Sequence, residues 1–153
     1  MATMSGIIAG QSIDDTLIAR LNETYPAGGE TFRHMKHLCQ QGIEEGWMCN
    51  QGDVGRRFGR VIEPGKSTND FSVDVVFLND IRGPHHVHPT GEIGAVMPLD
   101  DGAKFDKWGE GWFAYPPGSA HWPTVRGGSA LVLYFLPEGK IEFTGKEPPA
   151  KKA

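Results

Sequence analysis

A mainly β barrel preceded by two N-terminal α-helices is the fold class this sequence predicts, and three observations predict it. The 21 glycines and 11 prolines fall mostly between short runs rich in Val, Ile, Phe, Tyr and Trp, the composition of strands joined by tight turns. Apolar residues recur at helical spacing before Gly46 and in short, turn-bounded runs after Trp47. Three of the six histidines then crowd into one short extended segment, His85 to His88. A chain of 153 residues supports one hydrophobic core rather than two, so a single domain is expected over 1–153, with helices in 11–46, the barrel in 47–145 and a flexible tail in 146–153.

The elements follow in order. Ser12 is placed to cap a helix whose first turn carries Asp14 and Asp15 and whose apolar face is Leu17, Ile18 and Leu21, with Pro26 closing it. After Gly28 and Gly29, Phe32, Met35, Cys39 and Ile43 recur at helical spacing beside Leu38 and Gly42, until Gly46. Strands are expected at 55–62, 71–78, 83–88, 91–97, 111–115, 121–125 and 130–136. Breaker clusters such as Pro64-Gly65, Asn79-Asp80, Pro89-Thr90-Gly91 and Gly127-Gly128 separate them. This many short antiparallel strands suggest a jelly roll.

Composition excludes several classes of function. The net charge of -4, with no basic stripe, argues against nucleic acid or an anionic membrane as partner. No apolar run approaches the roughly 20 residues that span a bilayer, and no targeting segment is evident at the N-terminus, so a cytoplasmic location is expected. Cys39 and Cys49 fit buried free thiols better than a redox pair or a disulfide scaffold. A homodimer, sealing an open edge or sheet face, is the expected assembly.

The chemistry is concentrated in Gly83-Pro-His-His-Val-His-Pro-Thr-Gly-Glu92 and Pro116-Pro-Gly-Ser-Ala-His121. His86 and His88 leave the same face of a strand, and Glu92 shares their parity. With His121 they make three imidazoles and one carboxylate, a borderline donor set suited to Fe(II), Mn(II), Ni(II) or Zn(II) more than to Ca(II) or Mg(II). Four protein ligands leave positions open on a five- or six-coordinate metal, which is a catalytic arrangement. His85 has the opposite parity and is expected outside the ligand set. Aromatic residues gather near the second segment, and Trp122 and Tyr134 are candidates to wall a flat aromatic substrate. Arg60 and Arg82 are candidates to hold a substrate carboxylate. Asp74, an acid in an apolar strand, faces either water or the pocket.

The pattern HxH-x3-E followed by PxGxxH resembles the two halves of the cupin metal motif. It departs in the position of Gly83, in the displaced glycine after Glu92 and in Val125 where Asn is common; no ligand is lost. More narrowly, the chain resembles the 4-hydroxylaminobenzoate lyase family of nitroaromatic degradation. The resemblance lies in Glu45-Gly-Trp-Met-Cys-Asn50, Phe58-Gly-Arg-Val61, Phe71-Ser-Val-Asp-Val-Val76, Gly83-Pro-His-His86, His88-Pro-Thr-Gly-Glu-Ile93, Pro117-Gly-Ser-Ala-His121, Ala130-Leu-Val-Leu-Tyr134 and Leu136-Pro-Glu-Gly139.

It implies conversion of 4-hydroxylaminobenzoate to 3,4-dihydroxybenzoate (protocatechuate) and ammonia, a net hydrolysis without oxygen or nicotinamide. A metal, Fe(II) first with Mn(II) or Zn(II) as alternatives, would act as Lewis acid at the hydroxylamino group. Glu92 is the candidate base, though a plain ligand role suits it better. Two other readings use the same residues: an Fe(II) cupin dioxygenase acting on an aminophenol or catechol, and a non-catalytic small-molecule-binding cupin.

Overall fold

The computed structural model describes residues 2–53 and 55–146. Three helices come first: α1 (Ala2–Ile8), α2 (Asp15–Thr24) and α3 (Glu30–Glu44). The first is additional to the two that periodicity predicts. It is one short segment interrupted by Gly6 and lacking a capping signal, and it docks through Met4 and Ile8, both buried. Helix α2 is capped by Asp14 rather than Ser12: the Leu17 amide donates to Asp14 Oδ1 at 3.0 Å, and the carboxylate there also complements the helix dipole. Helix α3 buries Phe32, Met35, Cys39 and Gly42; Ile43 of the expected stripe is only half-buried, and Leu38 beside it is exposed.

The strands are β1 (Gln51–Asp53), β2 (Arg56–Ile62), β3 (Phe71–Asn79), β4 (His86–His88), β5 (Glu92–Pro98), β6 (Lys104–Phe105), β7 (Gly111–Tyr115), β8 (Ser119–His121), β9 (Val125–Arg126), β10 (Ser129–Pro137) and β11 (Glu142–Phe143). They form an antiparallel six-stranded sheet ordered β1-β2-β3-β10-β5-β7, a three-stranded sheet β11-β4-β8 and the pair β6-β9. This is a mainly β, cupin-type jelly-roll barrel with helices at its N-terminal end. The strand expected over 121–125 is split. His121 ends β8 and Val125 begins β9, with Pro123 between them, a residue that has no amide hydrogen for a ladder.

Strand alternation sorts the large sheet into two faces. Val73, Val75, Ile93, Ala95, Met97, Leu131, Leu133, Phe135 and Trp112 lie on one face with Leu17, Leu21, Phe32, Met35 and Cys39 of the helices. Trp112 ties the two layers together. Its indole Nε1 donates to Tyr25 O at 2.9 Å, its amide donates to Asn22 Oδ1 at 3.1 Å, and the Phe32 ring meets it edge-on. Leu78, Val96, Phe113, Ala130 and Val132 occupy the other face, inside the barrel, with Phe105 and Val125. The candidate site opens from this inner face.

Candidate metal centre and its pocket

Two turns bring the four predicted ligands together. After β4 the chain reverses through Pro89, Thr90 and Gly91, where the Gly91 amide donates to His88 O at 3.1 Å. Gly91 has φ +91, and a Cβ there would stand 2.7 Å from Ile13 Cδ1 and 3.0 Å from Tyr115 O, so glycine fits both the conformation and the space. Glu92 thereby starts β5 beside His88. The second turn is pinned to the same strand, because the Gly118 amide also donates to His88 O, at 2.8 Å. Strand β8 then pairs with β4 so that His121 stands opposite His86.

The ligand atoms of His86, His88, Glu92 and His121 all lie within 4.8 Å of one another. The Nε2 atoms are 3.0 Å apart for His86 and His88, 3.0 Å for His86 and His121, and 3.1 Å for His88 and His121. The Glu92 carboxylate touches His88 Nε2 and lies 3.8 Å from His121 Nε2. His86, His88 and Glu92 are buried. Donors about 2.1 Å from a shared cation stand about 3.0 Å apart when mutually perpendicular, against about 3.4 Å when tetrahedral. Three imidazole nitrogens at this spacing would be able to converge on one cation.

The tautomers agree with a cation at the centre. His86 Nδ1 lies 3.2 Å from Pro84 O and His121 Nδ1 lies 2.7 Å from Asp106 Oδ2, contacts that place the ring proton on Nδ1 and leave Nε2 with a free lone pair. Burial, followed by the neighbouring His88 and His121, lowers the His86 pKa to about 3 and keeps its imidazole neutral, the form that ligates. Three imidazole lone pairs at such close range repel unless something positive lies between them. Among the described residues, His88 Nδ1 and Glu92 Oε2 are buried without a hydrogen bond.

Asp106 is the functional residue that sequence reasoning missed. Besides His121, its carboxylate accepts from the Tyr115 hydroxyl and, at 3.0 Å, from the Thr124 amide. Its own amide donates to Thr124 O at 2.7 Å. It holds the imidazole plane of His121, as a carboxylate behind a metal-binding histidine does. No spacing in the chain signals it, because the contact depends on β6 pairing with β9.

A pocket that encloses about 60 Å³ and opens to solvent runs from His86, Glu92 and His121 along the inner face. Phe58, Val76, Val132, Tyr134 and Phe105 wall it, and Ile141, Phe143 and Arg56 are also among its lining residues. Phe143 is 60% exposed and stands edge-on to His86 at 5.5 Å between ring centroids. Burial, with the charges of Asp74 and Glu92, raises the Tyr134 pKa and keeps that phenol protonated.

The other predicted residues are spread out. Arg60 donates to Asp74 Oδ1 at 2.9 Å and to Gly139 O at 3.0 Å, and lies 3.5 Å from Glu63. It does not line the pocket. Asp74 is buried and also accepts from Ser72 Oγ at 2.6 Å; burial raises its pKa, opposed by the hydrogen bonds from Ser72 and Arg60. Arg82 and Trp122 line a separate surface hollow with His85. His85 stays outside the ligand cluster, its Nδ1 2.6 Å from Thr144 Oγ1 and its ring 4.5 Å from that of Trp122.

Fold and site together define a cupin whose His-His-Glu-His cluster could hold a metal ion. Residues 1–143 match the family described as PnbB, 4-hydroxylaminobenzoate lyase. The chain is 37% identical over 140 residues to a 4-hydroxylaminobenzoate lyase of Nocardioides sp. (strain LMS-CY), covering 86% of this chain and 82% of that protein. It is 36% identical over 140 residues to one of Pseudomonas putida, covering 80% of each. Among solved structures it is similar to an oxalate oxidase in complex with the substrate analogue glycolate, with a TM-score of 0.44, 23% identity, and 61% and 57% of the two chains covered. The chain belongs to the 4-hydroxylaminobenzoate lyase family and is a lyase. Among the described residues no helix is long and apolar enough to cross a membrane.

Proposed function

We propose that this protein converts 4-hydroxylaminobenzoate and one water to protocatechuate and ammonia, using a divalent transition metal, Fe(II) in the first instance, held by His86, His88, Glu92 and His121. The observation that carries this reading is the convergence of three imidazole nitrogens and one carboxylate at the inner end of a pocket with an apolar and aromatic wall. A cation bound there supplies a Lewis acid for the hydroxylamino oxygen.

The protein's own residues position and enclose the substrate. Phe58, Val76 and Val132 present an apolar wall to the ring. Phe143 covers the His86 side. Tyr134, kept protonated, offers a hydroxyl donor in the pocket. Glu92 serves as ligand, with Oε2 directed at the cluster rather than to a hydrogen-bond donor. Asp106 accepts the Nδ1 proton of His121 and fixes the orientation of that ring. Arg60 and Asp74, bonded to each other, brace β2 against β3 and Gly139.

The test is an incubation of metal-replete protein with 4-hydroxylaminobenzoate under strict anaerobiosis. Ammonia and protocatechuate in equal amounts are expected. Products that form only when oxygen is admitted, with oxygen uptake, would assign the site to a dioxygenase instead.

A further inference from the structure

The pocket wall carries one cation that none of the preceding roles uses. Among the described residues that line the pocket, Arg56 is the single Lys or Arg. It lies on β2 opposite Leu78, is half-buried, and its guanidinium stands 4.5 Å from the centroid of the Phe58 ring. Phe58 also lines the pocket, so this stacking holds the planar fork against the wall and reduces the freedom lost when it binds a ligand. Arg60, of the same strand parity, faces Asp74 and is occupied by it. Arg56 stands in register with Leu78 of β3 on one side and Asp53 of β1 on the other, and among the described residues it forms no ion pair.

Three kinds of surface therefore share one pocket: metal-ligating groups, apolar wall and a guanidinium. A matching ligand has a metal-seeking polar group, a flat apolar body and an anion. We propose that Arg56 binds the carboxylate of the aromatic substrate through its guanidinium fork and sets the preference of this pocket for aromatic acids over the same rings without a carboxylate. The assignment rests on the lyase reading above and deepens it by naming the residue that selects the substrate class.

Calorimetric titration with 4-aminobenzoate and with aniline, which lack the reactive N–O bond, separates binding from turnover. Wild-type protein is expected to bind 4-aminobenzoate about 10- to 100-fold more tightly than aniline, the range of a charge-assisted bidentate pair. R56Q should abolish that preference while leaving aniline binding unchanged, and R56K, which keeps the charge but not the fork, should restore part of it. R57Q, an exposed neighbour on the same strand, is the control and should keep the full preference. A preference that survives in R56Q, or is absent from the wild type, overturns the assignment. If the wild type shows the preference and loses it in R56Q yet releases no ammonia from 4-hydroxylaminobenzoate, the lyase reading falls and the anion site stands. If ammonia is released but R56Q binds both ligands as the wild type does, the lyase reading stands and the anion site falls.

Discussion

On β10 the side chains of Leu131, Leu133 and Phe135 lie under the helices, while those of Ala130, Val132 and Tyr134, each one residue away along the same backbone, face the barrel interior. The helix-covered face is mostly apolar, and the Trp112 indole within it is hydrogen-bonded to Tyr25 O. The interior face also carries buried polar groups, Ser72, Asp74 and Glu92, and at the cluster His88 Nδ1 and Glu92 Oε2 have no hydrogen-bond partner among the described residues. Burying such atoms costs free energy that a bound cation would recover, so the first face is built for stability and the second holds polarity in reserve for a ligand. Substitutions a single residue apart should therefore give different phenotypes.

The largest effect is expected at the ligands. E92Q keeps the shape of the side chain but removes its charge, and turnover should fall by about 10³-fold or more with loss of bound metal. Elemental analysis alongside ammonia release checks both, and the denaturation midpoint of the metal-free protein should not fall. On the other face, F135A should cost about 3–5 kcal/mol of stability in a denaturant titration, while activity per folded molecule is retained. A loss of specific activity in F135A as large as in E92Q would erase the distinction between the faces.

D106N should weaken metal binding by about 10- to 100-fold in a chelator competition, because the imidazole of His121 loses its charged partner while the ligand itself remains.

The two faces also differ in pH dependence, on opposite sides of neutrality. In the metal-free protein His86 titrates at about 3, below its ordinary 6.5. Between those values the unfolded chain binds a proton that the folded chain refuses, so stability declines as pH falls from 6.5 towards 3 and then levels. Burial under the helices raises Cys39 to about 11 and Cys49 to about 12, from 9.0. Here the folded chain keeps protons that the unfolded chain gives up, so their contribution is full below pH 9 and is lost as pH rises through 11 and 12. H86N should flatten the acid limb alone, and C49A should flatten only the alkaline one, in denaturation curves recorded across pH.

The convergence of His86, His88, Glu92 and His121 was legible in the sequence because a candidate metal motif couples residue type to strand parity, and both survive in a linear reading. The helical stripes of α2 and α3 and the main strands were legible for the same reason. Features set by partners across the sheet were not. Arg56 and Arg60 have equal parity, and what separates them is set across the sheet: Asp74 stands opposite Arg60 and bonds to it, whereas Leu78 and Asp53 flank Arg56. Asp106 sits at φ 51 on a turn whose neighbour, Thr124, arrives through β9. The helix α1 carries too few residues for a periodic signal.

Whether the cluster of His86, His88, Glu92 and His121, loaded with metal, drives ammonia release can be measured outright. Ammonia and protocatechuate are followed from 4-hydroxylaminobenzoate, without oxygen, for metal-replete, chelator-stripped and H121A protein of measured metal content. Products in proportion to bound metal are expected, with none from stripped protein or from H121A. Equal product from metal-replete and stripped protein would contradict a metal-driven reaction at this cluster.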